Sequence, residues 1–233
     1  MAVSQDQAVI LAGGQATRMR PYTDDRPKAM VELGGRPIIE HQIEWLRQHG
    51  VSTLVVSCGY RADLLQSHLG DGSSFGVAIT YAVEETPLGR GGGLKYAAGH
   101  LPYPDLPWFA LNGDVIARFD LREMARQHSA NEAIATIALA PYTTTWGIAE
   151  LEGDRIKGFA QSPRLPYWIN GGIYRFEPAL TELLPDLGDH EDSTFPTLAS
   201  QGRLYAFFID GYWRGIDTAK DIIEATKEIE RGQ

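Results

Sequence analysis

Residues 8–30 read AVILAGGQATRMRPYTDDRPKAM. The first part, Ala8 to Leu11, is short, apolar and rich in Val, Ile and Leu, which is the composition of a strand buried on both faces. The rest has neither helical nor strand period, and it carries two adjacent glycines and several basic residues. An irregular, glycine-rich, basic segment after a buried strand is an anion site. Gly13 and Gly14 let the backbone come close to a ligand and aim successive amide groups at phosphate oxygens. Arg18 offers a planar fork and Lys28 a mobile point charge. The competing reading is a surface loop with solvated side chains. No G-x-x-x-x-G-K-[ST] is present, and no G-x-G-x-x-G opens a helix here, so neither of the two commonest phosphate loops applies.

Outward from this stretch, the chain alternates short apolar runs with amphipathic segments as far as Pro141. AVILAG, TLVVSCG, VAITYAVE, WFALNGD and AIATIALA have strand character. Between them PIIEHQIEWLRQHG, RADLLQSHLG, GGGLKYAAGHL and DLREMARQHSAN have helical character. In the first of these Pro37 is expected at the first helical position and Gly50 just past the end, with Ile38, His41, Gln42, Trp45 and Leu46 on one face. Repeated strand–helix–strand units predict an α/β fold, a Rossmann-like three-layer arrangement with a mostly parallel sheet covered on both faces. After Pro141 the texture changes: GIAELEGDRIKGFAQ reads as a hairpin about a Gly-Asp turn, WINGGIYRF and RLYAFFIDGYW as strands, and TAKDIIEATKEIER as a terminal helix. With no low-complexity linker and no repeat, residues 1–233 are expected to form one domain with a small β extension.

In an open parallel sheet the ligand lies outside the carboxyl ends of the strands. That rule selects LAGGQATR, EETPLGRGGG and the NGD that ends WFALNGD as one site. Asp114 closes an apolar strand, where a carboxylate facing a polyphosphate is suited to hold Mg²⁺ together with phosphate oxygens; an Asx-type turn is the alternative.

Bulk properties narrow the class. The chain has 233 residues, 43% hydrophobic and 22% charged, enough to bury a sizeable core without staples. A formal net charge of −9 argues against a general nucleic-acid binder, and a phosphate ligand then needs local basic groups or a divalent cation. The lone Cys58 lies in an apolar run and reads as a reduced core thiol. MAVSQDQ has no signal-peptide character and no apolar run is long enough to cross a bilayer, so no membrane association and a cytoplasmic location are expected.

The motifs together resemble the sugar-1-phosphate nucleotidylyltransferases, the NDP-sugar pyrophosphorylases. Their pattern LAGG-x-GTRLRPLT, PK-x-MV, G-x-P-I-I is similar to residues 11–41, and the likeness continues through ETPLGRGGGLK, LNGD, WGIAEL, INGGIY and GYWRGIDTAKDI. The resemblance implies the nucleotide-diphospho-sugar transferase fold. It also implies transfer of a nucleotidyl group from a nucleoside triphosphate to a sugar 1-phosphate with Mg²⁺, releasing pyrophosphate. Residues 1–141 would mainly bind nucleotide and 142–233 mainly sugar, without the β-helix domain of longer relatives. By the same resemblance Leu11, Ala12, Gly13, Gly14 and Arg18 bind the nucleotide, with Glu85, Pro87, Leu88 and Gly89 reading the base. Arg18, Lys28 and Asp114 would be catalytic. Asn112, Gly147, Arg164, Asn170 and Gly171 fall to the sugar phosphate, and Asp114 and Asp217 to the metal.

Three positions depart from the pattern. Ala16 replaces the third glycine of the signature loop. The late metal carboxylate is displaced to Asp217, two positions along, which keeps it on the same face of a strand; its alternative is to cap the terminal helix. Ser162 replaces a lysine expected to grip the sugar phosphate, with Arg164 or Lys157 as substitutes. PLGRGGG leans toward GTP with mannose or heptose 1-phosphate, whereas the Asp217 placement resembles the cytidylyltransferase branch, and UTP or dTTP with another sugar 1-phosphate is a further alternative. From other classes, a nucleotide-sugar-binding regulatory protein without turnover and a Rossmann-type oxidoreductase are the rivals. A homo-oligomer through the late strands is compatible with the sequence, which does not decide it.

Overall fold

A computed structural model describes residues 6–14 and 16–231, with the side chain of Arg18 outside that description. The opening stretch forms β1, Gln7–Leu11, and continues as irregular chain with short 3-10 turns at Thr17–Met19 and Lys28–Met30. A two-residue pair, β2 (Glu32–Leu33) and β3 (Arg36–Pro37), leads into α1, Ile38–Gln48. Pro37 is the N-cap of α1 rather than its first helical residue, at φ −53° and ψ 145°. The alternation then runs β4 (Thr53–Cys58), α2 (Ala62–Leu69), β5 (Ala78–Val83), α3 (Gly89–Ala98), β6 (Trp108–Asn112), β7 (Val115–Arg118), α4 (Leu121–Ala130) and β8 (Ala135–Thr143). The later part contains the hairpin β9 (Gly147–Glu152) and β10 (Arg155–Gln161), the long β11 (Arg164–Phe176), α5 (Leu180–Leu183), α6 (Thr194–Ser200), β12 (Leu204–Phe208), β13 (Tyr212–Gly215) and α7 (Ala219–Glu230).

One seven-stranded sheet, ordered β12-β8-β11-β6-β1-β4-β5, joins the early and late parts of the chain. All its neighbours pair in parallel except β11, which is antiparallel to both β6 and β8. Alternation along each strand sends side chains to two cores. Ile10, Leu54, Val56 and Phe109 pack with Ile39, Ile43 and Leu46 of α1 and Met124 of α4. Val9, Val55 and Trp108 pack with Leu94 and Ala97 of α3 and with Tyr174 and Phe176. This is the three-layer arrangement that the strand and helix periods predict.

The expected single run RLYAFFIDGYW is divided between two sheets. β12 joins the main sheet beside β8, and β13 pairs antiparallel with β7. The break falls at Gly211, φ 147°, where an added Cβ would meet the carbonyl oxygen of Arg118 at 2.3 Å. Only a residue without a side chain lets β13 approach β7 that closely. This second small sheet brings Asp217 to the same end of the molecule as Asp114, because Ile216 donates its amide to the Asp114 carbonyl at 2.9 Å.

Candidate active site

The carboxyl ends of β1, β5 and β6 surround a cavity of about 330 Å³. Leu11, Ala12, Gly13 and Gly14 line one side, Pro87 and Gly89 another, and Asn112, Gly113 and Asp114 the floor, with Lys28, Glu84 and Arg90 supplying further charge. All three segments selected from the sequence meet there. A larger surface cavity, about 650 Å³, lies beside α1 and β7 among Arg36, Glu44, Arg118 and Asp120. None of the glycine-rich segments reaches it.

The parallel pairing of β1 with β6 sets Leu11 opposite Asn112. Gly113 then donates its amide to the Leu11 carbonyl at 2.8 Å. A Cβ at Gly113 would stand 2.4 Å from that oxygen, so the turn before Asp114 needs glycine for close approach. From the other side the Gln42 amide nitrogen donates to the carbonyls of Asn112 at 2.8 Å and Val115 at 2.9 Å, bracketing the turn. Gln42 is 2% exposed. The helical period puts it on the inner face of α1, but the sequence does not reveal that it holds the Asp114 turn.

Lys28 Nζ donates to Asp114 Oδ2 at 2.8 Å and to Asp217 Oδ1 at 3.0 Å, with its side chain only 13% exposed. Three residues distant in sequence thus form one cluster. Asp217 is not the cap of α7. Thr218 holds that position, and its side chain and Asp221 form a capping box. The Asp217 carboxylate is directed at Lys28 instead. Two carboxylate oxygens converging on one ammonium make a donor set suited to a hard divalent cation, and Asp114 and Asp217 are the residues that would hold it.

Ala16 adopts the left-handed conformation, φ 45° and ψ 52°. The loop therefore keeps the backbone shape for which glycine is the usual residue. Of the four residues expected to read the base, Pro87 and Gly89 line the cavity and Glu85 and Leu88 do not; Glu84 lines it, while Glu85 is exposed. Ser57 donates its hydroxyl to Glu84 Oε1 at 2.8 Å and Leu88 donates its amide to Glu84 Oε2 at 3.0 Å, so Glu84 ties β4 to the start of α3. Cys58 is fully buried, and burial together with the Glu84 charge pushes its thiol up to about 11, an inert core residue.

The sugar-side candidates are more dispersed. Gly147, Arg164, Asn170 and Gly171 do not line this cavity. Asn170 donates to the Tyr174 hydroxyl and accepts from the Gly172 amide, each at 2.9 Å, so its amide stabilises the bulge in β11. That bulge nonetheless presses on the site: a Cβ at Gly172, φ 67°, would lie 2.7 Å from Asn112 Nδ2. Ser162 is exposed in a left-handed turn at φ 49°. Of its two expected substitutes, Lys157 pairs with Glu150 at 3.0 Å on the hairpin and the Arg164 guanidinium lies 5.2 Å from the Trp168 ring centroid. Arg18, expected at the triphosphate, has its side chain outside the described residues.

Residues 7–232 match the Nucleotidyl transferase family. The chain belongs to that family. Among curated nucleotidyl transferase relatives, it is 37% identical over 229 residues to the mannose-1-phosphate guanyltransferase of Candida albicans. It is 38% identical over 229 residues to that of Yarrowia lipolytica. In both comparisons 94% of this chain is matched, and it spans 63% of the relative's length. The fold agrees with solved structures of HddC from Yersinia pseudotuberculosis, at TM-score 0.77 and 24% identity, covering 96% of this chain and 99% of that one. A second structure of HddC is complexed with GMP-PN. No helix among the described residues is long and apolar enough to cross a membrane.

Proposed function

We propose that the chain transfers a guanylyl group from GTP to mannose 1-phosphate or heptose 1-phosphate, releasing pyrophosphate. The observation that carries this reading is the convergence of Lys28, Asp114 and Asp217 beside the Gly13–Gly14 loop. A phosphate oxygen of the sugar 1-phosphate forms the new bond to the α-phosphorus of GTP, and the bond from that phosphorus to the bridging oxygen of pyrophosphate breaks. The nucleophile is already anionic, so positioning and charge neutralisation matter more than a strong base.

Each residue then has a part. The glycine loop allows backbone amides to approach the triphosphate, and Arg18 is assigned to the same anion. Lys28 places its ammonium where two polyanions must crowd together. Asp114 and Asp217 would hold Mg²⁺, which when bound neutralises phosphate charge. Asn112, whose buried Oδ1 has no hydrogen-bond partner among the described residues, is suited to accept from a sugar hydroxyl. The guanine preference is supported by the names of the curated relatives and by the GMP-PN complex of HddC.

The test is a pyrophosphate-release screen of GTP, CTP, UTP, dTTP and ATP against a panel of sugar 1-phosphates with Mg²⁺. Release with GTP and mannose or heptose 1-phosphate is the expected outcome. Turnover with another triphosphate would retain the reaction and replace the substrates. Nucleotide binding without pyrophosphate release from any pair would indicate the regulatory protein instead, the reading that the missing lysine at Ser162 motivates.

A further inference from the structure

The cavity has a charged group that none of the functional assignments above uses. Arg90 is the second residue of α3, lines the cavity, and has its side chain 48% exposed. Its backbone is clamped. Gly91 donates to the Gly188 carbonyl at 2.9 Å and Gly188 donates to the Leu88 carbonyl at 2.8 Å. Side chains at the flanking positions would collide with the same segment: a Cβ at Gly89 would stand 2.6 Å from the Gly188 oxygen, and one at Gly92 would stand 2.5 Å from the Asp186 oxygen. The glycines around Arg90 thus serve to bring the first turn of α3 against residues 185–191.

That segment also fixes the guanidinium. Arg90 Nε donates to Asp189 Oδ2 at 2.6 Å, Nη2 lies 2.5 Å from the same oxygen, and Nη1 donates to Glu191 Oε1 at 2.5 Å. An arginine has five N–H donors. These contacts engage at most one donor on each nitrogen and leave at least one N–H on each terminal nitrogen. The Asp189, His190 and Glu191 group has the spacing of a metal site, but the Arg90 guanidinium already occupies its two carboxylates. The other charged groups lining the cavity are committed: Lys28 to Asp114 and Asp217, and Glu84 to Ser57 and Leu88. Among the described residues that line the cavity Arg90 is the other cation besides Lys28, and its pairing with Asp189 and Glu191 holds it before any ligand arrives, so little side-chain freedom is lost on binding.

We infer that Arg90 is a specificity-determining residue that reads the O6 and N7 acceptors of guanine with its remaining terminal N–H donors. This rests on the guanylyl reading of the same site. Two adjacent acceptors are the feature of guanine that an arginine fork matches; adenine places a donor at the first position, and pyrimidines lack N7. A threonine, the residue of the related PLGT motif, cannot make this contact.

The experiment compares kcat and KM for GTP, 7-deaza-GTP and ITP in the wild type, Arg90→Lys and Arg90→Thr, with thermal unfolding of each. The lysine variant keeps the charge and can still pair with Asp189, but it loses the fork. In the wild type, 7-deaza-GTP, which lacks only N7, is expected to show about tenfold lower kcat/KM than GTP, mostly through KM, as for a lost hydrogen bond to a charged group. ITP, which keeps both acceptors, sets the control. In Arg90→Thr the GTP to 7-deaza-GTP ratio should collapse to within about twofold while the GTP to ITP ratio holds, and Arg90→Lys, whose ammonium can still donate to O6 and N7, should keep part of the discrimination. An unchanged 7-deaza discrimination in Arg90→Thr, or none in the wild type, overturns the assignment and leaves Arg90 as a structural clamp. If the wild type instead turns over another triphosphate in preference to GTP, the guanylyl reading itself fails and this one with it.

Discussion

At Ala16 the backbone stands at φ 45° with a methyl group attached. The left-handed region costs an L-residue roughly 1–2 kcal/mol, and glycine would recover part of that while losing more chain entropy on folding. Ala16→Gly is therefore expected to raise stability by about 0.5–1 kcal/mol, read as a rise in unfolding midpoint; a fall would mean that the methyl packs favourably enough to outweigh its strain. At Lys28, an ammonium 13% exposed and gripped by two carboxylates, removal has two effects. It leaves Asp114 and Asp217 facing each other, and it removes a charge from the place where the proposed reaction would bring phosphates together. Lys28→Ala should lower kcat by about a hundredfold or more with a smaller change in KM, the pattern of a contact made mainly in the transition state. A change confined to KM would show that Lys28 serves only ground-state binding.

At the scale of elements, the Asp114 turn depends on helix α1 through one amide. Gln42→Leu keeps the approximate volume and leaves the Asn112 and Val115 carbonyls without their donor. Burying two acceptors unpaired costs about 1–3 kcal/mol each before relaxation, so a loss of about 2–4 kcal/mol is expected in denaturant unfolding. The half-saturating Mg²⁺ concentration should rise as well, because the carboxylate is then held less firmly. Loss of stability with unchanged Mg²⁺ dependence would show that the turn positions Asp114 without Gln42. Much of this level was legible beforehand. The main parallel strands and their covering helices announce themselves by period, since one-sided or two-sided burial forces a repeat. The division of RLYAFFIDGYW did not, because its break depends on how closely β13 lies to Arg118 in β7, a contact between segments far apart in the chain.

For the whole molecule, folding buries titratable groups in the second core. His190 is fully buried against Tyr174 and Phe195, and neither ring nitrogen has a hydrogen-bond partner among the described residues. Burial pushes its pKa from 6.5 down to about 4. Between those values the unfolded chain binds a proton that the folded chain does not, so stability rises with pH across that window. The contribution is complete above about pH 6.5, is lost as pH falls toward 4, and changes no further below that. Burial shifts His41 and His128 in the same direction. The unfolding midpoint should therefore drop steeply between pH 6.5 and 4, and His190→Phe should flatten part of that slope. An unaltered slope in the variant would assign the acid sensitivity to other groups.

The sequence by itself determined the layered fold, the meeting of three irregular segments at the strand carboxyl ends, and Asp114 and Lys28 as separate candidates there. Each follows from local causes: burial period, glycine freedom, and charge in a loop that cannot be core. The tertiary structure decided which residues meet. It replaced Glu85 by Glu84 at the cavity wall, gave the α7 cap to Thr218 and freed the Asp217 carboxylate to face Lys28, set Gln42 under the Asp114 turn, and engaged Asn170 within its own bulge. Side-chain direction at a strand end, and the partner that reaches it from another element, are set by register and by the approach of segments up to 189 residues apart. Those distances have no periodic trace in the chain.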